Sequence, residues 1–495
     1  MIDKALLETL AAKPVAPADH LIDGVARAAS DGGRLEVISP LNGQVLTTLA
    51  RGTTDDATAA VMAARRAFDD GRWSGLAPAA RKAVLLKWAD LVEAHAAELA
   101  VLGVRDNGTE IAMAFKAEPL SAVGTIRYFA EAIDKITGEI APTAPGTLGL
   151  VHKEPVGVVG AIVPWNFPLM IGAWKLAPAL AAGCSVVLKP SETASLSLLR
   201  MAELAHEAGL PPGVLNVVTG EGATVGAAIA ESMDVDVLVF TGSGATGRHL
   251  LEASARSNFK RVYLELGGKS PNVVFADAPD LDEAAKVSAQ GIFRNSGQVC
   301  IAGSRLLVQR SIHDAFVEKL KAHAEAMQVG DPLDPETAAG AINSEGQLTR
   351  NLAFVDAARA EGRRIVTGGH RILEETGGYY MPPTIVADVA PGDAIARDEV
   401  FGPVLAVIPF DTEEEALAIA NDTEFGLAAA VWTADLSRAH RMVRRIRAGV
   451  VHVNTYGGAD VTVPLGGVKQ SGNGHDKSLH AFDKFLDLKT AWIKL

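Results

Sequence analysis

Cysteine is nearly absent: the 495-residue chain holds two, Cys184 and Cys300, too few for a disulfide framework in a protein of this size. A reducing compartment is the expectation. No uninterrupted span of ~20 apolar residues occurs, and residues 1–10 lack a basic stretch leading into a continuous apolar run. Neither a membrane span nor a secretory leader is expected, and a cytoplasmic location is. Positive charge is sparse too. The formal net charge is -13 and no basic run exceeds Arg444-Arg445-Ile446-Arg447, which argues against nucleic acid or an anionic membrane as partner.

What is there describes a large globular protein. With 48% hydrophobic residues the chain can bury a sizeable core, and its length predicts about two to four domains. Up to about residue 50, short apolar runs mixed with Gly and Pro read as a peripheral hairpin region turning at Gly43. Helical spacing follows over 53–68, with Thr54, Asp55 and Asp56 at its first turn, and over 79–102 as one longer helix. Strand-like runs at 156–163, 185–188, 215–218, 235–240 and 262–266 alternate with helical stretches, the pattern of a parallel sheet with crossover helices. Later helices are expected over 316–327, 413–419 and from 436 to a stop at Gly449, and an edge strand over 485–492 that could pair with a second subunit.

Ligands bind such sheets at the carboxyl ends of the strands, and the unusual residues fall there. Pro164-Trp-Asn166-Phe-Pro168 stiffens a turn around an amide suited to an oxyanion hole, or to an ordinary Asx turn. Glu192, in Lys189-Pro-Ser-Glu192, could accept both hydroxyls of an adenosine ribose, or merely start a helix. Gly242-Ser-Gly244-Ala-Thr-Gly247 has the spacing that brings a backbone against a pyrophosphate at a helix N-terminus, and the acid this fingerprint expects further on would be Glu265.

Cys300 lies between Gly297 and Gly303, with Arg294 and Arg305 close in sequence. A thiolate is the strongest protein nucleophile near neutrality and is reactive in open, electropositive surroundings. Two glycines allow a tight turn on each side, so that sulfur and backbone N–H face one reacting atom. The competing reading is a buried, inert thiol. Cys184, between a helical stretch and a strand, reads as packing. Asp398 to Pro403 reads as a loop or a solvated corner, and Pro464 to Gly472 as a loop beside a ligand or a plain connection. His475 and His480 have no metal-ligand spacing with partners, and no metal is expected.

Together, Pro164-Trp-Asn-Phe-Pro168, Lys189-Pro-Ser-Glu192, Phe240-Thr-Gly-Ser243, Leu264-Glu-Leu-Gly-Gly268, Gly297-Gln-Val-Cys300 and Glu399-Val-Phe-Gly-Pro403 resemble, in order, the motif set of the NAD(P)-dependent aldehyde dehydrogenase superfamily. The resemblance implies an α/β fold: a Rossmann-like dinucleotide-binding domain (1–132 and 156–267), an α/β catalytic domain (268–470) and a small β oligomerisation element (133–155 and 471–495). It implies Cys300 as nucleophile, Asn166 with the Cys300 N–H as oxyanion hole, and Glu265 as the base that activates hydrolytic water, which overrules the ribose reading of Glu265. Lys189 and Glu192 would hold the adenosine ribose, Ser243 with Gly242 and Gly267 would lie near the pyrophosphate, Glu399 would hold the nicotinamide ribose, and Phe401 and Trp165 would line the nicotinamide site. Glu192 favours NAD, with NADP possible. Members assemble as homodimers or homotetramers.

The tail Val461 to Ala481, Glu131-Ala-Ile-Asp-Lys135 and Asp435-Leu-Ser-Arg-Ala-His440 resemble the bacterial γ-glutamyl-γ-aminobutyraldehyde and guanidinobutyraldehyde dehydrogenases of polyamine and arginine breakdown. That implies an ω-amino or γ-glutamylamino aldehyde, with Phe167, Trp174 and Leu465 along its path and Asp460 meeting the tail or capping a turn. Arg294 departs from the amino-aldehyde pattern, which has an aromatic residue there; succinic semialdehyde dehydrogenases have an arginine. A guanidinium suits bidentate carboxylate binding, so Arg294 either selects a distal carboxylate or pairs with a surface acid. A succinic semialdehyde or broad-range enzyme, and a non-catalytic structural relative, are the alternatives. The latter would not need Cys300, Glu265 and Asn166 together, and an acylating enzyme would typically lack Glu265.

Overall fold

The strands Val158–Ile162, Ser185–Lys189 and Val237–Thr241 are buried at every position, which is why they read as continuous apolar runs without alternation. In the computed structural model, which describes residues 3–458 and 460–495, they are the middle of a seven-stranded sheet. The strand order is Arg261–Glu265, Val237–Thr241, Val158–Ile162, Ser185–Lys189, Leu215–Val217, His20–Ile22, Val25–Arg27. The first five are parallel. The chain winds outward from Val158–Ile162 on one side and then returns to build the other. That switch point opens a crevice at the carboxyl ends of the central strands.

A second seven-stranded sheet runs Arg364–Thr367, Thr384–Ala387, Val404–Phe410, Arg305–Gln309, Pro271–Val274, Ala428–Trp432, Val450–Val453, all parallel except the first pair. Only Leu266 to Ser270 separates the last strand of the first sheet from Pro271–Val274 of the second. The carboxyl edge of one sheet is thereby tied to the amino edge of the other. A third sheet joins Glu139–Ala141, Thr147–Pro155 and Leu486–Lys494, all antiparallel, with the last as an edge strand. Residues 471–485 lie outside that sheet, against the site described below.

Local readings needed correction in three places. Residues before 50 are not wholly peripheral: His20–Ile22 is fully buried and joins the first sheet, while Gly43 turns the outer hairpin Arg34–Ile38 with Val45–Ala50 at φ 69. A helix, Lys4–Ala12, stands where a hairpin region was expected. The 79–102 stretch is two helices, Pro78–Ala94 and Ala96–Asn107, broken at His95 with φ -101 and ψ 14; the apolar period runs through the break because Trp88, Val92 and Leu99 fill one core. Thr54–Asp69 is capped by Thr53, which accepts from the Asp56 N–H while the Asp56 carboxylate bonds back to Thr53. Among the described residues no helix is long and apolar enough to cross a membrane.

Candidate active site

Four of the motif segments leave carboxyl ends of the first sheet, and the Cys300 and Glu399 loops enter amino ends of the second. All but the Lys189–Glu192 segment converge on two cavities that share Asn166 and Cys300. One, about 220 Å³, is lined by Trp165, Gly242, Ser243, Gly267, Gln347, Arg350, Glu399 and Phe401 among others. The other, about 620 Å³, is lined by Phe167, Met170, Trp174, Arg294, Ile301, Leu465 and Lys477 with Glu110, Lys116 and others. A thiol at such a junction can be reached from both sides.

The turn that presents Cys300 is strained. Asn295, Ser296 and Gly297 take left-handed φ of 48, 51 and 71 in succession, directly after the helix Leu281–Phe293. Buried bonds over-determine it: the Asn295 N–H donates to Glu110 Oε1 at 3.1 Å, Thr109 Oγ1 donates to Asn295 Oδ1 at 2.8 Å, and Ser296 Oγ donates to the Gly340 carbonyl at 2.8 Å. A Cβ on Gly297 would stand 2.0 Å from the Gly402 carbonyl oxygen, so the Glu399 loop and the Cys300 turn interlock there. Gly303 has a different reason from the turn expected of it. Its Cβ would meet the Tyr456 ring at 3.0 Å, and it is a point of close packing.

Cys300 is half-buried, with two carboxylates and the cations Arg294 and Lys477 all near enough to act on it. Burial pushes the thiol up to about 12, the Glu399 and Glu265 carboxylates push the same way, and the Ile301 and Cys300 backbone N–H groups pull against them. The Arg305 guanidinium turns instead to the carbonyls of Lys269, Ile419 and Ala420, to which it donates. Cys184 is fully buried, donates weakly to the Phe485 carbonyl at 3.5 Å, and is also pushed up to about 12 by burial.

Asn166 is buried and donates through Nδ2 to the Gln298 carbonyl at 3.0 Å, while its own carbonyl accepts from Asn295 Nδ2 at 3.1 Å. An amide nitrogen carries two hydrogens, and the second is available to the shared junction. Glu265 ends the strand Arg261–Glu265 and is 7% exposed, with Oε1 lacking a hydrogen-bond partner among the described residues. Burial holds it well above the usual carboxylate range, and Asp476 adds to that; Lys175 and Lys484 oppose it. Those three form a buried triad in which Asp476 accepts from Lys175 Nζ and Lys484 Nζ, both at 2.5 Å. Sequence reasoning missed the triad. One signal was available: Lys175 is the sole charge in the helix Pro168–Ala182, which is otherwise apolar.

The residues around the smaller cavity suit part of a dinucleotide. Ser243 caps the helix Gly244–Arg256 by accepting from the Thr246 N–H at 3.3 Å, and a Cβ on Gly244 would meet nothing within 4 Å, so a ligand can approach the bare backbone at that helix start. A Cβ on Gly242 would stand 2.4 Å from the Phe240 ring, and one on Gly267 would stand 2.1 Å from Glu399 Oε2. Glu399 accepts from the Gly268 N–H at 2.9 Å and burial raises it to about 7. Phe401, at φ 60, packs edge-on against Trp165 with ring centroids 5.2 Å apart. Beyond the strand Ser185–Lys189, Lys189 lies 3.4 Å from Glu192 and is lowered by burial, and Glu192 accepts from the Gly222 N–H at 2.7 Å.

In the larger cavity, Arg294 is not the surface-paired residue of the alternative reading. It makes no ion pair among the described residues, its Nε has no hydrogen-bond partner, and burial lowers its pKa. Lys477 lies over the Trp174 ring, 4.7 Å from its centroid. Asp460 is outside the lining: it is exposed and accepts from the Thr462 N–H at 2.9 Å, so it caps a turn.

The model of the Aldehyde dehydrogenase family matches residues 27–491. The NADP/NAD-dependent aldehyde dehydrogenase PuuC of Escherichia coli (strain K12) is 52% identical over 474 residues, 96% of this chain and 95% of that protein. The crystal structure of γ-glutamyl-γ-aminobutyraldehyde dehydrogenase from Burkholderia cenocepacia J2315 is 53% identical with a TM-score of 0.97, covering 99% of each chain. That of the P. syringae indole-3-acetaldehyde dehydrogenase AldA, in complex with NAD+ and IAA, is 51% identical with a TM-score of 0.98 over 100% of each. The chain belongs to the aldehyde dehydrogenase family.

Proposed function

We propose that the protein oxidises an aldehyde to a carboxylic acid with NAD as acceptor, through a thioester on Cys300. The meeting of two cavities at Cys300 and Asn166 supports this most directly, since one thiol faces both a cleft edged by bare glycine backbone and a separate apolar chamber. As the Cys300 S–H proton leaves to water, attack by sulfur on the carbonyl carbon forms a C–S bond and moves the C=O π electrons onto oxygen, whose negative charge Asn166 Nδ2 and the Cys300 N–H hold. The residues of the cleft would hold NAD, which when bound would supply the acceptor for the hydride that leaves the same carbon. Glu265 then takes a proton from water, whose oxygen adds to the thioester carbon as the C–S bond breaks. Its raised pKa suits it to that exchange. Lys189 and Glu192 bind the adenosine ribose, Gly242 and Ser243 the pyrophosphate, and Glu399 the nicotinamide ribose, with Phe401 beside the ring. The Glu192 carboxylate disfavours a 2'-phosphate and so favours NAD over NADP.

The substrate we propose carries a carboxylate distal to the aldehyde, as in a γ-glutamylamino aldehyde of polyamine breakdown. Arg294, Lys477 and Lys116 line the chamber against one acid, Glu110, which burial pushes up to about 7. The name of the Burkholderia relative agrees with an aldehyde of this class. Initial rates with succinic semialdehyde, γ-glutamylaminobutyraldehyde, aminobutyraldehyde and a neutral alkanal test the reading. We expect the carboxylated aldehydes to lead, and Arg294→Met to lower kcat/KM for them by about 10–100-fold with the alkanal unchanged. Equal losses for both kinds would defeat it.

Self-association is expected through the third sheet, where Ile140, Leu488 and Trp492 are 75%, 70% and 69% exposed on its two outer strands. A dimer or tetramer in a reducing compartment fits both this and the two free cysteines.

A further inference from the structure

The helix Pro168–Ala182 begins without a cap of its own. Phe167, just before it, has no side-chain acceptor, and Pro168 at its first position has no N–H. The Ile171 N–H is satisfied by the Phe167 carbonyl at 3.0 Å, which leaves the N–H groups of Leu169 and Met170. Both turn to Glu118, in the turn Lys116–Leu120 from an earlier part of the chain. The Met170 N–H donates to Glu118 Oε2 at 2.8 Å, and the two N–H groups pull the Glu118 carboxyl down against burial, which pushes it up to about 8. Glu118 is 3% exposed, lies outside the lining of both cavities, and its Oε1 has no hydrogen-bond partner among the described residues. Asp106, the buried acid on which Glu118 acts, serves another helix: its Oδ2 accepts from the Leu196 N–H at 3.0 Å. Burying an acid without a counter-charge is costly, and what this one holds lies beside the reacting atoms.

We propose that Glu118 is a positioning residue for the oxyanion donor: it holds the start of the helix Pro168–Ala182, and through it Asn166, against the Cys300 turn. The inference rests on the reading of Asn166 as that donor. Between Asn166 and the bonds to Glu118 the chain has little freedom, because Pro168 fixes its own φ and the Phe167 carbonyl is tied into the first helical turn. The place of Asn166 therefore follows the place of the helix start. One hydrogen of Asn166 Nδ2 is committed to the Gln298 carbonyl at 3.0 Å, so only a small range of positions lets the other reach the aldehyde oxygen. Glu118 needs no charge for this: a neutral carboxyl still accepts through its carbonyl oxygen. The same bond also ties two walls of the aldehyde chamber, since Lys116 and Ala117 line it from the turn and Met170 and Trp174 from the helix. Loosened walls would act on KM for the aldehyde, whereas a displaced donor acts on kcat.

A double-mutant cycle tests this. Glu118→Met keeps the reach of the side chain without an acceptor. We expect it to lower kcat for aldehyde oxidation about tenfold, with KM for aldehyde and NAD changed by less than about twofold. Glu118→Gln keeps an acceptor oxygen and should stay within about twofold of the parent in kcat. In the Asn166→Ala background, Glu118→Met should cost nothing further, because the group it positions is gone. Unchanged kcat in Glu118→Met, a raised aldehyde KM at constant kcat, an equal loss in both backgrounds, or Glu118→Gln as slow as Glu118→Met overturns the proposal. If Glu118→Met does not fold, Glu118→Asp, one methylene shorter, enters the same cycle with the same expectations. Asn166→Ala alone separates the premise: full activity there would mean that Asn166 is not the donor, whereas a slow Asn166→Ala with an additive Glu118→Met removes only the positioning role.

Discussion

The dinucleotide cleft and the aldehyde chamber share Cys300 and Asn166, yet they are built by opposite means. The cleft is a matter of backbone: Gly242 and Gly267 are bare because Phe240 and Glu399 press on them, Phe401 sits at positive φ, and Ser243 caps a helix whose first residue faces open space. The chamber is a matter of side chains drawn from Glu110 to Lys477, held to no common conformation and contributing bulk and charge. Backbone demands restrict which residues a position accepts, and shape demands restrict them far less. Chemistry on this protein should therefore be breakable at the junction, cofactor choice at the cleft and aldehyde choice at the chamber, each without the others.

The largest break is at the junction. Cys300→Ala removes the nucleophile and should lower aldehyde oxidation by about 10⁴-fold or more. NAD binding, followed by quenching of intrinsic tryptophan fluorescence, should persist, since the cleft is lined by groups the substitution leaves in place. Loss of both would mean that cleft and chamber do not form independently. Asn166→Ala should cost about 10²–10³-fold in kcat, the usual worth of one oxyanion donor, with little change in KM for NAD. It also releases the bond from Asn166 Nδ2 to the Gln298 carbonyl, while the main-chain carbonyl that accepts from Asn295 stays, so the melting temperature has to be measured beside the rate.

The same contrast explains what could be read from the chain alone. Every cleft motif was visible because it combines a strand end with glycine or proline at fixed spacing, and the parallel strands themselves showed as unbroken apolar runs. The Asp476 triad was not visible: its members stand at 175, 476 and 484, and only the fold makes them neighbours. Proximity in sequence misled at Arg305, five residues past Cys300, because a strand carries its side chain away to buried carbonyls. Arg294 was seen as a departure from a pattern, but its place in the chamber, without an ion pair among the described residues, could come only from the packing.

At the cleft, Glu192→Ser sharpens the comparison. The carboxylate is 36% exposed on its side chain and lies 3.4 Å from the buried Lys189 ammonium, so removing it leaves one positive charge near the position of a ribose 2'-substituent. We expect the ratio of kcat/KM for NADP over NAD to rise about tenfold, near 1.4 kcal/mol, with the order of preferred aldehydes unchanged. A reordering of the aldehydes would show that the two sites are coupled after all.

The smallest effect concerns the two cysteines, which share nearly one acidity and differ in access. Burial pushes both thiols up to about 12, so each stays protonated across the neutral range. The sign follows: raising pH toward that value increases the thiolate fraction, and alkylation of Cys300 by iodoacetamide should quicken about tenfold per pH unit from 7 to 9 without a plateau. A thiol activated in the resting protein would instead level off near neutrality. Cys184 lines neither cavity at the junction and is packed at 0% exposure, so it should remain unlabelled over the same range until the protein unfolds. One label per chain, mapped to Cys300, would assign reactivity to access. Labelling of Cys184 at a comparable rate would mean that the core opens as readily as the chamber, and the distinction between the two thiols would fail.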